Sequence, residues 1–231
     1  MDVNEVYTLI QYIVNKNQQG YVTPSQFDTV INQGQKSYTS YLLGSFQSYT
    51  PGRPVAKVEL GQNSVIRQRL SPIIVTNYSL TINPTGFSPY PSDYLQTDSM
   101  ITSDIKRIRY VQQDTLYSYY NSVIDPINSN PVYLLEDVGF RFYPISLGTA
   151  KLSYVRNPPN MIWGYSLDVN GRPIYAPSGQ TSPPPAVQSI DPVWDDASIF
   201  EIITRALSLI GVNLQSAAVS QFAEQIKREG Q

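Results

Sequence analysis

The sequence predicts an α+β protein in which N- and C-terminal helical pairs pack as a small bundle with a β-rich central insertion. Three observations carry this expectation. Apolar residues recur at helical spacing near the start of the chain and again after Asp191. Between Thr50 and about Ile190 they fall instead into short runs bounded by Asn, Gly, Pro and Ser, as strands do. A proline-rich stretch, Pro177–Pro185, separates this middle from the last helical segment. The expected parts are residues 1–49 for the N-terminal helices, 50–176 for the β-rich region, 177–190 for a linker, and 191–231 for the C-terminal helical hairpin that completes the bundle.

Residues 2–17 read as an amphipathic helix, with Val3, Val6, Tyr7, Ile10, Ile13 and Val14 on one stripe and Asp2 with Glu5 as its cap. Thr23-Pro24-Ser25-Gln26 opens a second helix: Thr23 caps, Pro24 takes the first turn, and Gln26 reaches back. It carries Phe27, Val30, Ile31, Tyr38, Tyr41 and Leu42, and Gly34 predicts a kink or a break in it. Strands are expected at Ile73–Thr76, Tyr78–Ile82, Ile105–Gln112, Val132–Leu135, Gly139–Tyr143 and Ala150–Arg156. Glu136-Asp137 predicts a tight hairpin, and Asn170-Gly171 between Trp163–Leu167 and Pro173–Tyr175 predicts another with a type I′ turn. A short helix is expected at Thr115–Val123. Asp191-Pro192 is read as the start of a helix running to Gly211, and Asn213 as the cap of a last one carrying Leu214, Ala217, Ala218, Phe222 and Ile226, with Lys227 and Arg228 at its C-terminal end.

The composition narrows the chemistry. The 231 residues include no histidine and no cysteine, but 18 tyrosines. Serine–histidine and cysteine–histidine nucleophile pairs are therefore excluded, as is all thiol redox chemistry. Tyrosine offers a rigid contact surface with a polar tip and is enriched where proteins meet. Only 15% of residues are charged, against about 25% in a typical domain. A surface with so little repulsion suits permanent contacts. The formal charge of −2 does not favour a nucleic-acid binder with a broad basic face. No apolar run is long enough for a membrane span, and Met1-Asp2-Val3-Asn4-Glu5 does not resemble a secretory signal, so use or assembly in a cytoplasm is expected.

Few residues stand out as chemical candidates. Asp191, Asp195 and Asp196 could approach a Mg²⁺ ion, but acidic residues belong in a first helical turn and capping is the preferred reading. Glu136-Asp137 is read as a turn. Neither a phosphate-binding glycine loop nor Gly-x-Ser-x-Gly occurs. No catalytic residue, metal or cofactor is expected. The basic clusters are Arg67-Gln68-Arg69 and Lys106-Arg107-Ile108-Arg109-Tyr110. Strand alternation would send Arg107 and Arg109 to one face and Lys106, Ile108 and Tyr110 to the other. In a ring, Arg107 and Arg109 would repeat as a positive band able to meet a DNA backbone; a solvated strand face or an ion pair between subunits is the preferred reading. The central tyrosines, Tyr117, Tyr119, Tyr120, Tyr133, Tyr143, Tyr154, Tyr165 and Tyr175, are read as packing within sheets or between subunits in preference to stacking on bases or sugars.

Several stretches resemble virion structural proteins of tailed phages, in particular the short-tailed, crAss-like phages of Bacteroidetes hosts. They are Asp2-Val3-Asn4-Glu5-Val6-Tyr7 with Thr23-Pro24-Ser25-Gln26-Phe27, then Gly139-Phe140-Arg141-Phe142-Tyr143-Pro144, Leu152-Ser153-Tyr154-Val155-Arg156-Asn157-Pro158-Pro159, and Phe200-Glu201-Ile202-Ile203. The resemblance implies a head-to-tail connector, an adaptor ring of about twelve copies beneath the portal vertex. Its implied partners are other copies of itself, the portal protein and further neck or tail proteins, with genomic double-stranded DNA passing through without specific binding. It implies a place in the virion and no catalytic residues. Two rival readings are a receptor- or carbohydrate-binding β-rich module and a carboxylate-dependent enzyme, for which no paired motif is present.

Overall fold

The computed structural model describes residues 1–16, 21–44, 64–120, 125–180, 185 and 187–210. In chain order the elements are α1 (Val3–Lys16), α2 (Pro24–Leu42), α3 (Ser64–Leu70), a 3₁₀ turn (Ser71–Ile73), β1 (Ile74–Thr81), β2 (Phe87–Pro89), β3 (Tyr94–Thr102), β4 (Arg109–Tyr110), α4 (Gln113–Tyr119), β5 (Val132–Leu135), β6 (Gly139–Tyr143), β7 (Thr149–Arg156), β8 (Tyr165–Leu167), β9 (Pro173–Tyr175) and α5 (Asp196–Ile210). They fall into two compact units. One comprises Met1–Arg69 with Pro159–Gln231, and the other Leu70–Pro158.

The α+β class holds, but the expected arrangement of helices does not. The described helices are not N- and C-terminal pairs packed as a bundle, and most elements are strands, in three sheets. The predicted last helix, from Asn213 to Ile226 and with Lys227 and Arg228 beyond it, lies outside the described residues. In the first unit, α2 packs against α5. The apolar face of α1 is covered in part by Trp163, whose ring stacks on Tyr7 at 4.4 Å between centroids. Trp163 thus supplies cover that a helical pair was expected to provide. The strands Tyr165–Leu167 and Pro173–Tyr175, expected in the central β-rich region, also belong to this unit.

Local signals at the N-terminal helices translate directly into structure. Glu5 N–H donates to Asp2 Oδ1 at 2.7 Å, and Asp2 N–H to Glu5 Oε2 at 3.0 Å. Thr23 and Gln26 make the same reciprocal box at 3.0 and 3.3 Å, with Pro24 in the first turn. The stripe Val3, Val6, Tyr7, Ile10 and Val14 is buried as its spacing requires. Gly34, however, neither kinks nor splits α2, which is continuous from Pro24 to Leu42. A β-carbon at Gly34 would stand 2.8 Å from Ile202 O and 3.2 Å from Ala206 Cβ, so the glycine lets α2 and α5 approach closely.

One polar face of α2 reads the backbone of the returning chain. Trp163 N–H donates to Asp28 Oδ1 at 2.9 Å. Asn32 accepts from Met161 N–H at 2.8 Å and donates to Met161 O at 2.7 Å, and Gln35 donates to Pro159 O at 3.0 Å. Positions 28, 32 and 35 share a helix face, so an extended segment can satisfy its peptide groups against them without a neighbouring strand. Burial, opposed by the Trp163 hydrogen bond, raises the Asp28 pKa above the ordinary carboxylate value.

The second unit packs two sheets on a shared core. One has the order β1-β7-β3, all antiparallel. The other runs β2-β6-β5-β4, with β4 parallel to β5. Leu80, Met100, Ala150, Leu152 and Tyr154 from the first sheet meet Tyr133, Phe140 and Phe142 from the second. Val132 and Leu134 point the other way and are covered by Val111 and Leu116. That double cover explains the unbroken apolar run of β5, which has no polar-out alternation. β5, β6 and β7 match their expected spans closely. β3 was not expected at all, and its pairing shifts register twice, between Tyr94 and Gln96 and between Thr97 and Ser99. The two strands expected at Ile73–Thr76 and Tyr78–Ile82 are one strand, β1, bulged around Asn77, whose φ is 57°.

Candidate functional site

The basic cluster singled out by sequence lies at one end of the second unit. Beyond Thr102 the chain reverses through Ser103-Asp104-Ile105. Ile105 N–H donates to Thr102 O at 3.1 Å, Thr102 N–H to Lys106 O at 2.8 Å, and Lys106 N–H to Thr102 Oγ1 at 3.1 Å. Arg107 pairs with Ile101, and Ile108 N–H donates to Met100 O at 2.9 Å. The strand expected over Ile105–Gln112 is therefore a turn and its stem, with only Arg109–Tyr110 forming a strand. The expected alternation fails as well. Ile108 enters the core, while Lys106, Arg107, Arg109 and Tyr110 are all exposed. Arg109 is held from one side, since its guanidinium donates to Asn130 Oδ1. At the tip stands Ile105, with a φ of 61° and a side chain that leaves the residue 79% exposed.

The other basic cluster is separate. Arg69 belongs to the first unit and donates to Glu201 Oε1 at 2.9 Å; Arg67 is exposed on the same helix. The structure thus assigns the two clusters to different units.

The acidic candidates serve helix ends and turns. Asp191 Oδ1 accepts the Val3 N–H at 3.1 Å, so it caps α1 and not the helix that follows it. α5 begins at Asp196, with Asp195 O accepting from Ile199 N–H at 3.0 Å. Asp2, Glu5, Asp191, Asp195 and Asp196 leave an acidic corner at the starts of α1 and α5, in which the Met1 ammonium donates to Asp196 Oδ1; the exposed Phe200 lies one turn along α5 from Asp196. Among the described residues no group of three or more carboxylates is placed to hold a metal ion. Glu136 holds Arg141 through two contacts, at 2.7 and 3.0 Å, across the β5–β6 hairpin, where Glu136 N–H donates to Gly139 O at 2.9 Å.

The tyrosines divide between core and surface. Tyr133 and Tyr154 are buried, and burial is the main cause that pushes each phenol up to about 12. Tyr154 donates to Asp93 Oδ1 at 2.8 Å. Tyr90 and Tyr94 stack at 4.6 Å and meet Phe140 edge-on. Tyr12, Tyr21, Tyr41, Tyr78, Tyr110, Tyr117 and Tyr120 face outward. Arg205 covers Tyr41 at 4.7 Å. Sequence reasoning missed Ile105 because an isoleucine in a basic, alternating run reads as a strand residue. The two backbone bonds that make it a turn link residues a strand would hold apart.

Among the described residues no helix is long and apolar enough to cross a membrane. No known family model matches the sequence, and no curated protein matches it.

Proposed function

We propose that this chain is a non-enzymatic structural subunit of a tailed-phage virion, a connector or adaptor ring at the junction of portal and tail. The observation that carries the reading is the character of the described surface. It carries seven exposed tyrosines and further exposed apolar side chains, in a chain of which only 15% of all residues are charged. Groups of this kind are enriched at the cores of protein contacts, where charged residues are depleted. The resemblance of several stretches of the chain to phage structural proteins supports the same reading. So does the small net charge: a subunit lining a DNA channel should neutralise few phosphates, because each one neutralised makes binding tighter and more salt-dependent.

The partners in this proposal are further copies of the chain, a portal protein and neighbouring neck or tail proteins. DNA passes without specific binding, and the assembled protein resides in the virion. Native mass spectrometry with negative-stain averaging, on the protein alone and mixed with portal, tests it. A closed or portal-templated ring is the expected result. A monomer that ignores portal and tail components would overturn the reading. It would promote a receptor- or carbohydrate-binding module, favoured by the exposed Tyr110, Tyr117 and Tyr120 of the β-rich unit and testable on a glycan array.

A further inference from the structure

Among the described residues the same tight turn occurs three times, and one copy differs from the other two at the position where residue choice is most constrained. In Asn83–Phe87, Gly86 N–H donates to Asn83 O at 2.8 Å, Asn83 N–H to Phe87 O at 2.9 Å, and Phe87 N–H to Asn83 Oδ1 at 2.9 Å, with Gly86 at φ 78°. In the β8–β9 hairpin, Gly171 N–H donates to Asp168 O at 3.0 Å, Asp168 N–H to Arg172 O at 2.9 Å, and Arg172 N–H to Asp168 Oδ1 at 2.8 Å. This is a three-residue loop, Val169-Asn170-Gly171, and not the expected type I′ turn: Asn170 is not among the residues with positive φ, which that turn requires. The third loop residue, Gly171, has φ 75°. The Thr102–Lys106 turn repeats all three bonds at 3.1, 2.8 and 3.1 Å, with Thr102 Oγ1 in place of the Asp168 carboxylate. Its third loop residue is Ile105, at φ 61°.

A β-branched residue is the least suited to that conformation, and glycine or asparagine takes it readily. Folding gives no return for this choice, because the Ile105 side chain is not packed inside the protein: the residue is 79% exposed. Local rules broken with no internal compensation mark residues kept for something outside the fold.

We infer that Ile105 is a docking anchor, and that it seats on the acidic corner of a second copy of this chain. Lys106 and Arg107 flank it and are exposed, so the receiving surface should join apolar area to carboxylates. Asp195 and Asp196 next to Phe200, which is 53% exposed, provide that combination on the first unit; the Met1 ammonium donates to Asp196 Oδ1, and one cation among five carboxylates leaves the corner negative. Tip and corner are different surfaces, so the contact is head-to-tail, the type that closes rings or extends filaments. This deepens the connector reading and rests on it for the closure into a ring.

Sedimentation velocity of the purified full chain over a concentration series, with a melting curve for each variant, tests the inference. Ile105→Gly should weaken self-association at least about tenfold, as loss of an anchor does. It should also raise Tm by about 2–4 °C through relief of the turn. Ile105→Val, which keeps both the branch and the strain, should associate within about threefold of the parent. Lys106→Glu with Arg107→Glu should weaken association, and adding Asp195→Lys with Asp196→Lys should restore it. Unchanged association in Ile105→Gly, or a lowered Tm, would overturn the anchor, and failure of the charge swap to restore would overturn the acidic corner as its seat. A parent chain that stays monomeric throughout the series overturns the second copy as occupant, whereas the connector reading fails only if the chain also ignores portal.

Discussion

The carboxylate of Asp191 caps α1 from 188 positions away, its Oδ1 accepting the Val3 N–H at 3.1 Å. α1 therefore carries a capping box of its own, Asp2 with Glu5, and a second acceptor brought in by the chain that leads to α5. The first peptide N–H groups of a helix have no partner within it, so each acceptor counts. Replacing Asp191 by Ala should cost about 0.5–2 kcal/mol in urea unfolding. Asn should recover part of the loss, because its amide oxygen still accepts. Equal stability of Asp191→Ala and the parent would show the contact to be idle.

Gly34 sets the distance between α2 and α5. An added methyl would stand 2.8 Å from Ile202 O and 3.1 Å from Ala206 N, both backbone atoms that cannot swing aside. Gly34→Ala should therefore destabilise by about 1–3 kcal/mol, although alanine is the better helix former by about 1 kcal/mol. The sign separates the two effects: a stabilised variant would mean that intrinsic propensity wins and that the helices separate at little cost.

Asp28 predicts a pH dependence. Its pKa is raised in the folded protein, chiefly by burial. Between the unfolded and folded values the folded state holds the proton more firmly, so stability falls as pH rises through that window. The cost of the buried charge is complete above the folded value. Asp28→Asn keeps an acceptor for the Trp163 N–H and removes the charge, so its Tm should exceed that of the parent at pH 7. The gain should shrink as pH falls through that window, where the parent carboxyl takes up its proton in the folded state. A gain independent of pH would refute the electrostatic origin.

Tyr133 and Tyr154 predict the alkaline limb. Both phenols sit near 12 in the folded protein, against about 10 when unfolded. Their contribution is fully present below about pH 10 and is lost as pH rises towards 12. Unfolding free energy measured from about pH 8 to pH 11 should fall less steeply in Tyr133→Phe than in the parent. Parallel profiles would assign the alkaline loss to other groups.

What the sequence by itself determined is what near neighbours decide. The two N-terminal capping boxes, the buried stripe of α1 and the spans of β5, β6 and β7 depend on residues a few positions apart, whose spacing is written in the chain. The absence of histidine and cysteine likewise rules out histidine-based nucleophile pairs and thiol chemistry whatever the fold. Tertiary structure decided everything that depends on which distant segment arrives. Asp191 looks like the cap of the helix after it, and only the arrival of Val3 redirects it. Gly34 looks like a helix weakness until Ile202 is found against it. β3 hides because its two register shifts spoil the alternation that would reveal a strand, and its place comes from pairing with β7. The helical bundle failed as an expectation for the same reason. Periodicity says that a face must be covered, and the free energy of burial is indifferent to whether a helix or Trp163 covers it. Arg107 and Arg109 were legible as a basic pair. The turn that presents Ile105 beside them was not, because its backbone bonds set a conformation that an isoleucine does not announce.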